Sequence, residues 1–183
     1  MRILWAAVCA AMIFNWAFGE ETSFSEPILL TSCGQSADVL MMKTLLNRDS
    51  LAFDYLPNAQ GSDVAGHGST ILVLGGSSKG LGAAKISEEE EIARVQGIVA
   101  AAKEAKVPIW AVHLGGQNRR GALSDPFNQL GAENSARIIV VKGGNEDGFF
   151  TKIAEEKKIP LDTAETALAV GGMVKEMFRE KME

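Results

Sequence analysis

Thr70-Ile-Leu-Val-Leu74, followed at once by Gly75-Gly-Ser-Ser-Lys-Gly80, decides how this chain is read. An unbroken apolar and β-branched run with no alternation of polar positions describes a strand covered on both faces. The glycines behind it suit a tight turn out of that strand. The same grammar returns downstream. Val107-Pro-Ile-Trp-Ala-Val-His-Leu114 runs into Gly115-Gly-Gln-Asn-Arg-Arg-Gly121, and Ala136-Arg-Ile-Ile-Val-Val141 runs through Lys142 into Gly143-Gly-Asn-Glu-Asp-Gly148. Upstream, Pro27-Ile-Leu-Leu-Thr31 leads into Ser32-Cys-Gly-Gln-Ser36, and the weaker run Leu51 to Leu56 suits a strand at a sheet edge.

Helical segments fall between these runs. Ser87 with Glu90 forms a capping box, and Ile92, Val95, Val99 and Ala102 then mark one face of a helix reaching Lys106. Ser36 is placed to cap a first helix through Asn47, and Asp147 a short one to Lys157. Asp125-Pro126 reads as a cap followed by proline at the first helical position, and Asp162 with Glu165 repeats the box before the terminal helix. Residues 57–69 are polar and glycine-rich, too short for a regular crossover helix. Strand and helix alternate, which predicts a single α/β domain over residues 20–183. The expected architecture is a doubly wound parallel sheet of about five strands, flavodoxin-like or Rossmann-like in its three layers, with order 2-1-3-4-5.

The amino terminus has a separate character. Met1-Arg2 is a short basic start, Ile3 to Phe18 is almost wholly apolar, and Ala17-Phe18-Gly19 puts small residues where a signal peptidase cuts. The run is shorter than the ~20 apolar residues of a spanning helix, so a cleaved secretory signal over residues 1–19 is expected, with no stable membrane anchor afterwards. The product would be exported, periplasmic or secreted. Loss of Arg2 makes a chain of net charge −5 one unit more acidic, which excludes nucleic acid and acidic membrane surfaces as natural partners. Of the two cysteines only Cys33 would survive, so no disulfide within the chain supports the fold.

In a parallel sheet all strand carboxyl ends lie on one edge, so the glycine loops converge there. Paired glycines bring backbone close to a ligand and present amides that hold oxyanions. Lys79, Arg119, Arg120 and Lys142 add positive charge to that rim. A small anionic molecule is therefore the expected ligand. Its contacts would come from Ser32, Gln35, Ser36, Gly75, Gly76, Ser77, Ser78, Lys79, His113, Arg119, Arg120, Gly143, Gly144 and Asn145. A single lobe would hold such a ligand in a shallow site, or with a protein partner or a second copy.

Other chemistries share these residues. Gly76-Ser-Ser-Lys-Gly80 satisfies the Gly-x-Ser-x-Gly elbow, with Ser78 as nucleophile, His113 as base and Asp125 or Asp147 as acid, which keeps a hydrolase open as the alternative. A scaffold or transport accessory without a small-molecule site is the third reading, and the residues do not decide whether any reaction is catalysed. Gly75 to Gly82 resembles the glycine-rich segment of short-chain dehydrogenases. Gly75 stands where that family has threonine, however, and Tyr55 is followed four residues on by Ala59 where a lysine is required. No cofactor is expected. Two histidines and no close-set ligand pair give no metal site, and Glu88-Glu-Glu-Glu91 reads as a helix start favoured by the macrodipole.

Taken together, Thr31-Ser-Cys-Gly-Gln-Ser-Ala-Asp-Val39, Gly75-Gly-Ser-Ser-Lys-Gly-Leu-Gly-Ala83, His113-Leu-Gly-Gly116 and Arg119-Arg-Gly-Ala-Leu-Ser-Asp125 resemble an uncharacterised family of exported bacterial proteins, known as domain of unknown function 6305. The resemblance extends through Asn145 to Pro160. It implies export and assigns no activity, cofactor or catalytic residue. Cys33 stands where that family usually has a small residue such as alanine, which weakens any catalytic role for the thiol.

Overall fold

The computed structural model describes residues 24–179, so the expected signal segment lies outside the described residues. Six parallel strands form one sheet in the order β2-β1-β3-β4-β5-β6. They are β1 (Ile28–Cys33), β2 (Phe53–Tyr55), β3 (Ser69–Leu74), β4 (Ile109–His113), β5 (Arg137–Val141) and β6 (Leu161–Ala164). The helices are α1 (Asp38–Arg48), α2 (Ser78–Ala84), α3 (Glu88–Ala105), α4 (Asp125–Glu133), α5 (Phe149–Lys157) and α6 (Ala167–Arg179). Every residue of β1, β3 and β4 is buried, which explains why these strands carry continuous apolar runs.

Alternate residues of each strand feed two cores. Leu29, Leu72, Leu74, Ala111, Ile138 and Val140 pack with α3, α4 and α5 on one face. Ile28, Leu30, Ile71, Val73, Val112 and Ile139 pack with α1 and α6 on the other. Trp110 belongs to the second core, between Phe24 at 4.4 Å and Phe178 at 5.1 Å, so it ties the start of the described chain to the last helix.

The sheet is doubly wound as expected, with one more strand than the sequence suggested. Leu161-Asp-Thr-Ala164 is an outer strand of mixed polarity, and it mimicked a helix start because Asp162 and Glu165 have capping-box spacing. In the fold Asp162 instead accepts a 2.6 Å bond from Arg137 on the neighbouring strand. Thr166 caps α6, its Oγ1 accepting from the Ala169 amide. Three other expected caps are reassigned. Ser36 precedes the cap position of α1, which is Ala37, and its Oγ accepts from the Asp38 amide. Asp125 is the first residue of α4 rather than its cap. Asp147 accepts from the Phe149 amide, but Asn145 Oδ1 does more for α5 by taking the amides of Phe150 and Thr151. The Ser87–Glu90 box forms as read, with bonds of 2.7 and 3.1 Å.

Residues 57–69 hold no regular crossover helix but a single 3-10 turn, Gly61–Val64, laid on α3. A Cβ on Gly61 would come within 2.8 Å of the Gly97 carbonyl oxygen, so the close approach requires glycine. From β1 the chain winds outward to β2, and from β3 it winds the other way. The reversal lies between β1 and β3, where doubly wound folds open a crevice at the strand carboxyl ends.

Candidate functional site

Past the ends of β1 and β3 the two loops zip together. The Gly75 amide donates to the Cys33 carbonyl at 3.0 Å, the Ser77 amide to the Gly34 carbonyl at 2.9 Å, and Gln35 bridges Gly76. The Gly76 amide donates to Ser124 Oγ at 3.1 Å. Ser77 then caps α2, its Oγ accepting from the Gly80 amide and its carbonyl from Leu81. Of the amides expected to cradle an oxyanion, those of Gly75 and Gly76 are thus committed within the protein. Gly75 and Gly80 serve close packing instead: the Arg119 stem crosses Gly75, and a Cβ on Gly80 would collide with the Gln35 carbonyl oxygen.

Beneath these loops lies a feature the sequence reading missed. Glu91, fully buried on α3, takes both the Arg94 Nε and Nη2 donors at 2.7 Å and also accepts from the Gly34 amide and from Gln35 Nε2. Arg94 continues to the carbonyls of Ser32 and Ala59, at 2.6 and 2.7 Å. A buried ion pair is tolerated only with its remaining donors and acceptors satisfied, and this one is satisfied by the backbone of the β1 exit and of the β2–β3 connection. It holds Gln35 in the left-handed region, at φ 61°. In the sequence Glu91 reads only as the last of four glutamates at a helix start. Its spacing of four from Val95 and seven from Ile98 places it on the apolar stripe, and that was the available clue.

Above this floor is an open cleft of about 500 Å³. Gln35, Ser36, Ser77, Lys79 and Arg119 line it from the expected set, joined by Asn58. Apart from Gly80, the rest of the lining is apolar: Ala37, Val39 and Leu40 at the start of α1, Tyr55 and Pro57 from the β2 exit, and Ala83 and Ala84 from α2. Burial pushes the Tyr55 phenol above its ordinary range, and Lys43 Nζ sits 4.5 Å over its ring. Arg119 Nε bonds Asp38 at 3.0 Å, whereas Lys79 is exposed and makes no ion pair among the described residues.

The other expected residues are elsewhere. Ser32 is buried in β1 with no partner for its hydroxyl. Ser78 is exposed on the first turn of α2 and makes no side-chain hydrogen bond to a histidine or carboxylate. His113 is fully buried at the end of β4. Its Nε2 lies 3.1 Å from the Arg119 carbonyl, an acceptor, so Nε2 carries the hydrogen. Nδ1 has no partner and faces the Gly144 backbone, where a Cβ would come within 2.5 Å. Burial holds the imidazole pKa below its ordinary value, so the ring is neutral. The Asn128 amide donates to the same carbonyl at 2.9 Å, and together the two side chains anchor the turn that carries Arg119.

Arg120, Gly143, Gly144 and Asn145 form a second cluster over the exits of β4 and β5. Arg120 bonds both oxygens of Asp147 at 2.8 Å, Asp125 at 2.8 Å and the Gly144 carbonyl at 2.6 Å, with its guanidinium 4.3 Å over the Phe149 ring. These bonds raise the Arg120 pKa and pull the Asp147 carboxyl down to about 2. Cys33, enclosed beside Phe127, has its thiol pushed up to about 12, first by burial and then by Glu91, which leaves it protonated.

A protein-family model described as "Domain of unknown function (DUF6305)" matches residues 25–178. No curated protein matches the chain. Among solved structures there is similarity to a mutant of the esterase AlinE4, at 12% identity over 86% of this chain and 84% of that one, with a TM-score of 0.33. A likeness that loose bears on no chemistry.

Proposed function

Because the chain belongs to the DUF6305 family, whose description assigns no activity, we propose from the site alone that it is a binding domain for a small anionic molecule, held in the cleft between the exits of β1 and β3. One observation carries this reading: in a chain of net charge −5, the cleft is lined by two cations, Lys79 and Arg119, and by no carboxylate, Asp38 entering only as the partner of Arg119 Nε. Position supports it, since the cleft lies at the switch point, and so does size, since ligand pockets span ~300–1,000 Å³. Lys79 supplies the unpaired charge, the hydroxyl hydrogens of Ser36 and Ser77 can donate, and Arg119 keeps donors beyond the one given to Asp38. The domain acts outside the cytoplasm, a reading supported by the basic start and apolar run of Met1 to Phe18.

The test is a melting-temperature panel of monocarboxylates, dicarboxylates, sugar phosphates and inorganic anions at two salt concentrations. At least one anion should stabilise the protein saturably, by about 2.7 kcal/mol at a hundredfold excess over its Kd. Lys79→Ala should remove that stabilisation. A panel with no shift, or a shift that persists in Lys79→Ala, sinks the reading.

A further inference from the structure

We infer that the ligand is an amphipathic carboxylate, one negative charge on an aliphatic or aryl body, an inference that rests on the anion-binding reading above. Two properties of the cleft lead there. The first is what its polar end lacks. A phosphate dianion is ordinarily held by several backbone amides in a glycine-rich loop. Here the amides of Gly75, Gly76, Ser77, Gly80 and Leu81 already donate to Cys33, Ser124, Gly34 and Ser77. One unpaired lysine with two serine hydroxyls, beside an Arg119 whose charge is already answered by Asp38, matches a single carboxylate better than a dianion.

The second property is the opposite wall. Leu40 stands on the first turn of α1 with 52% of its surface exposed, and it lines the cleft together with Val39, Tyr55, Pro57, Ala83 and Ala84. Large exposed apolar side chains are otherwise few among the described residues. A leucine half in water beside a neutral phenol and two alanines presents surface that a small polar anion would leave wet. Lys79 and this wall belong to the same cleft of about 500 Å³, far more room than an inorganic anion fills. A carboxylate on Lys79 would lay its carbon body against Leu40 and Tyr55, where water release adds binding energy.

Calorimetric titration of the full protein with butyrate, hexanoate, octanoate and 3-phenylpropionate, against succinate and inorganic phosphate, tests this. Affinity should climb with chain length, by up to about fourfold for each methylene buried. Octanoate and phenylpropionate should exceed succinate and phosphate by at least about tenfold. Leu40→Ser, a change at an exposed position that leaves unliganded melting intact, should bring octanoate close to butyrate, and Lys79→Ala should weaken both. If succinate or phosphate equals octanoate, or Leu40→Ser leaves octanoate unchanged, the amphipathic class is wrong while the anion site stands. If no anion binds, or octanoate binding ignores Lys79→Ala, both readings fall.

Discussion

Two clusters on the carboxyl edge of this sheet look alike in sequence and behave as opposites in the fold. Gly75-Gly-Ser-Ser-Lys-Gly80 and Gly115-Gly-Gln-Asn-Arg-Arg-Gly121 each set glycines and cations behind a buried strand. At the second, Arg120 is neutralised by Asp125 and Asp147, bonded to the Gly144 carbonyl and stacked on Phe149, so its charge serves the fold. At the first, Lys79 has no carboxylate partner among the described residues and lines open space. A cationic glycine loop is a candidate site only where the chain has not already answered its charge. That distinction depends on Asp147, 27 residues beyond Arg120, and no local motif contains it.

The two clusters also rest on different foundations, and the largest predicted effect breaks that difference open. The cleft stands on the buried Glu91–Arg94 pair, whereas the Arg120 cluster lies partly in water. Glu91→Ala leaves the buried Arg94 without a counter-charge and frees the Gly34 amide, and it should lower stability by about 3–5 kcal/mol, read from the urea midpoint. Glu91→Leu combined with Arg94→Met should recover much of that loss, because the isolated charge is gone. If Glu91→Ala is nearly silent, the pair does not support the loop.

A smaller loss separates loop geometry from loop charge. In Gly80→Ala the new methyl must displace the Gln35 carbonyl, at about 1–3 kcal/mol. The same displacement should abolish anion binding although Lys79 is untouched. Arg120→Ala should destabilise by a similar amount, about 2 kcal/mol, through lost charge-assisted bonds and ring stacking. Its anion titration should match wild type. A change in ligand affinity on removing Arg120 would show that the two clusters are one site.

Much of this architecture was open to reading from the chain. Buried parallel strands such as Thr70 to Leu74 announce themselves by unbroken apolar runs, and the Ser87–Glu90 box fixed the start of α3 to the residue. β6 escaped because an outer strand covered on one side needs no such run. α2 escaped because Lys-Gly-Leu-Gly has poor helix propensity; Ser77 capping and contact with the Gln35 loop hold it in place. Of the expected ligand residues lining the cleft, Gln35, Ser36, Ser77 and Lys79 were found through their place after β1 and β3, and Arg119 through its place after β4. His113 and Asn145 were drawn into the same set by sharing the sheet edge. Whether a polar side chain near a strand end faces solvent or fastens a neighbouring turn depends on partners distant in sequence, here the Arg119 carbonyl and the amides of Phe150 and Thr151.

The weakest expected effects are on pH dependence, and they sharpen the contrast because both arise on the Arg120 side. Asp147 titrates near 3.8 when unpaired and at about 2 beside Arg120. Its contribution is therefore present above pH ~4 and lost as pH falls toward ~2. Asp147→Asn should flatten stability across that acid window, by a modest amount because the carboxylate is half exposed. His113 acts in a higher window. Burial lowers its folded pKa, so below its ordinary value of 6.5 the unfolded chain takes up a proton that the folded chain refuses. Stability must then fall as pH drops from 6.5 and level off once the folded ring protonates as well. His113→Gln can still donate to the Arg119 carbonyl but cannot titrate, so the difference in slope between wild type and this variant from pH ~6.5 to ~5 isolates the imidazole. Nitrogen chemical shifts should show an Nε2–H ring at neutral pH. An Nδ1–H tautomer would mean that the ring is not fastened to the Arg119 turn, and equal slopes in the two proteins would mean that burial does not hold the imidazole neutral.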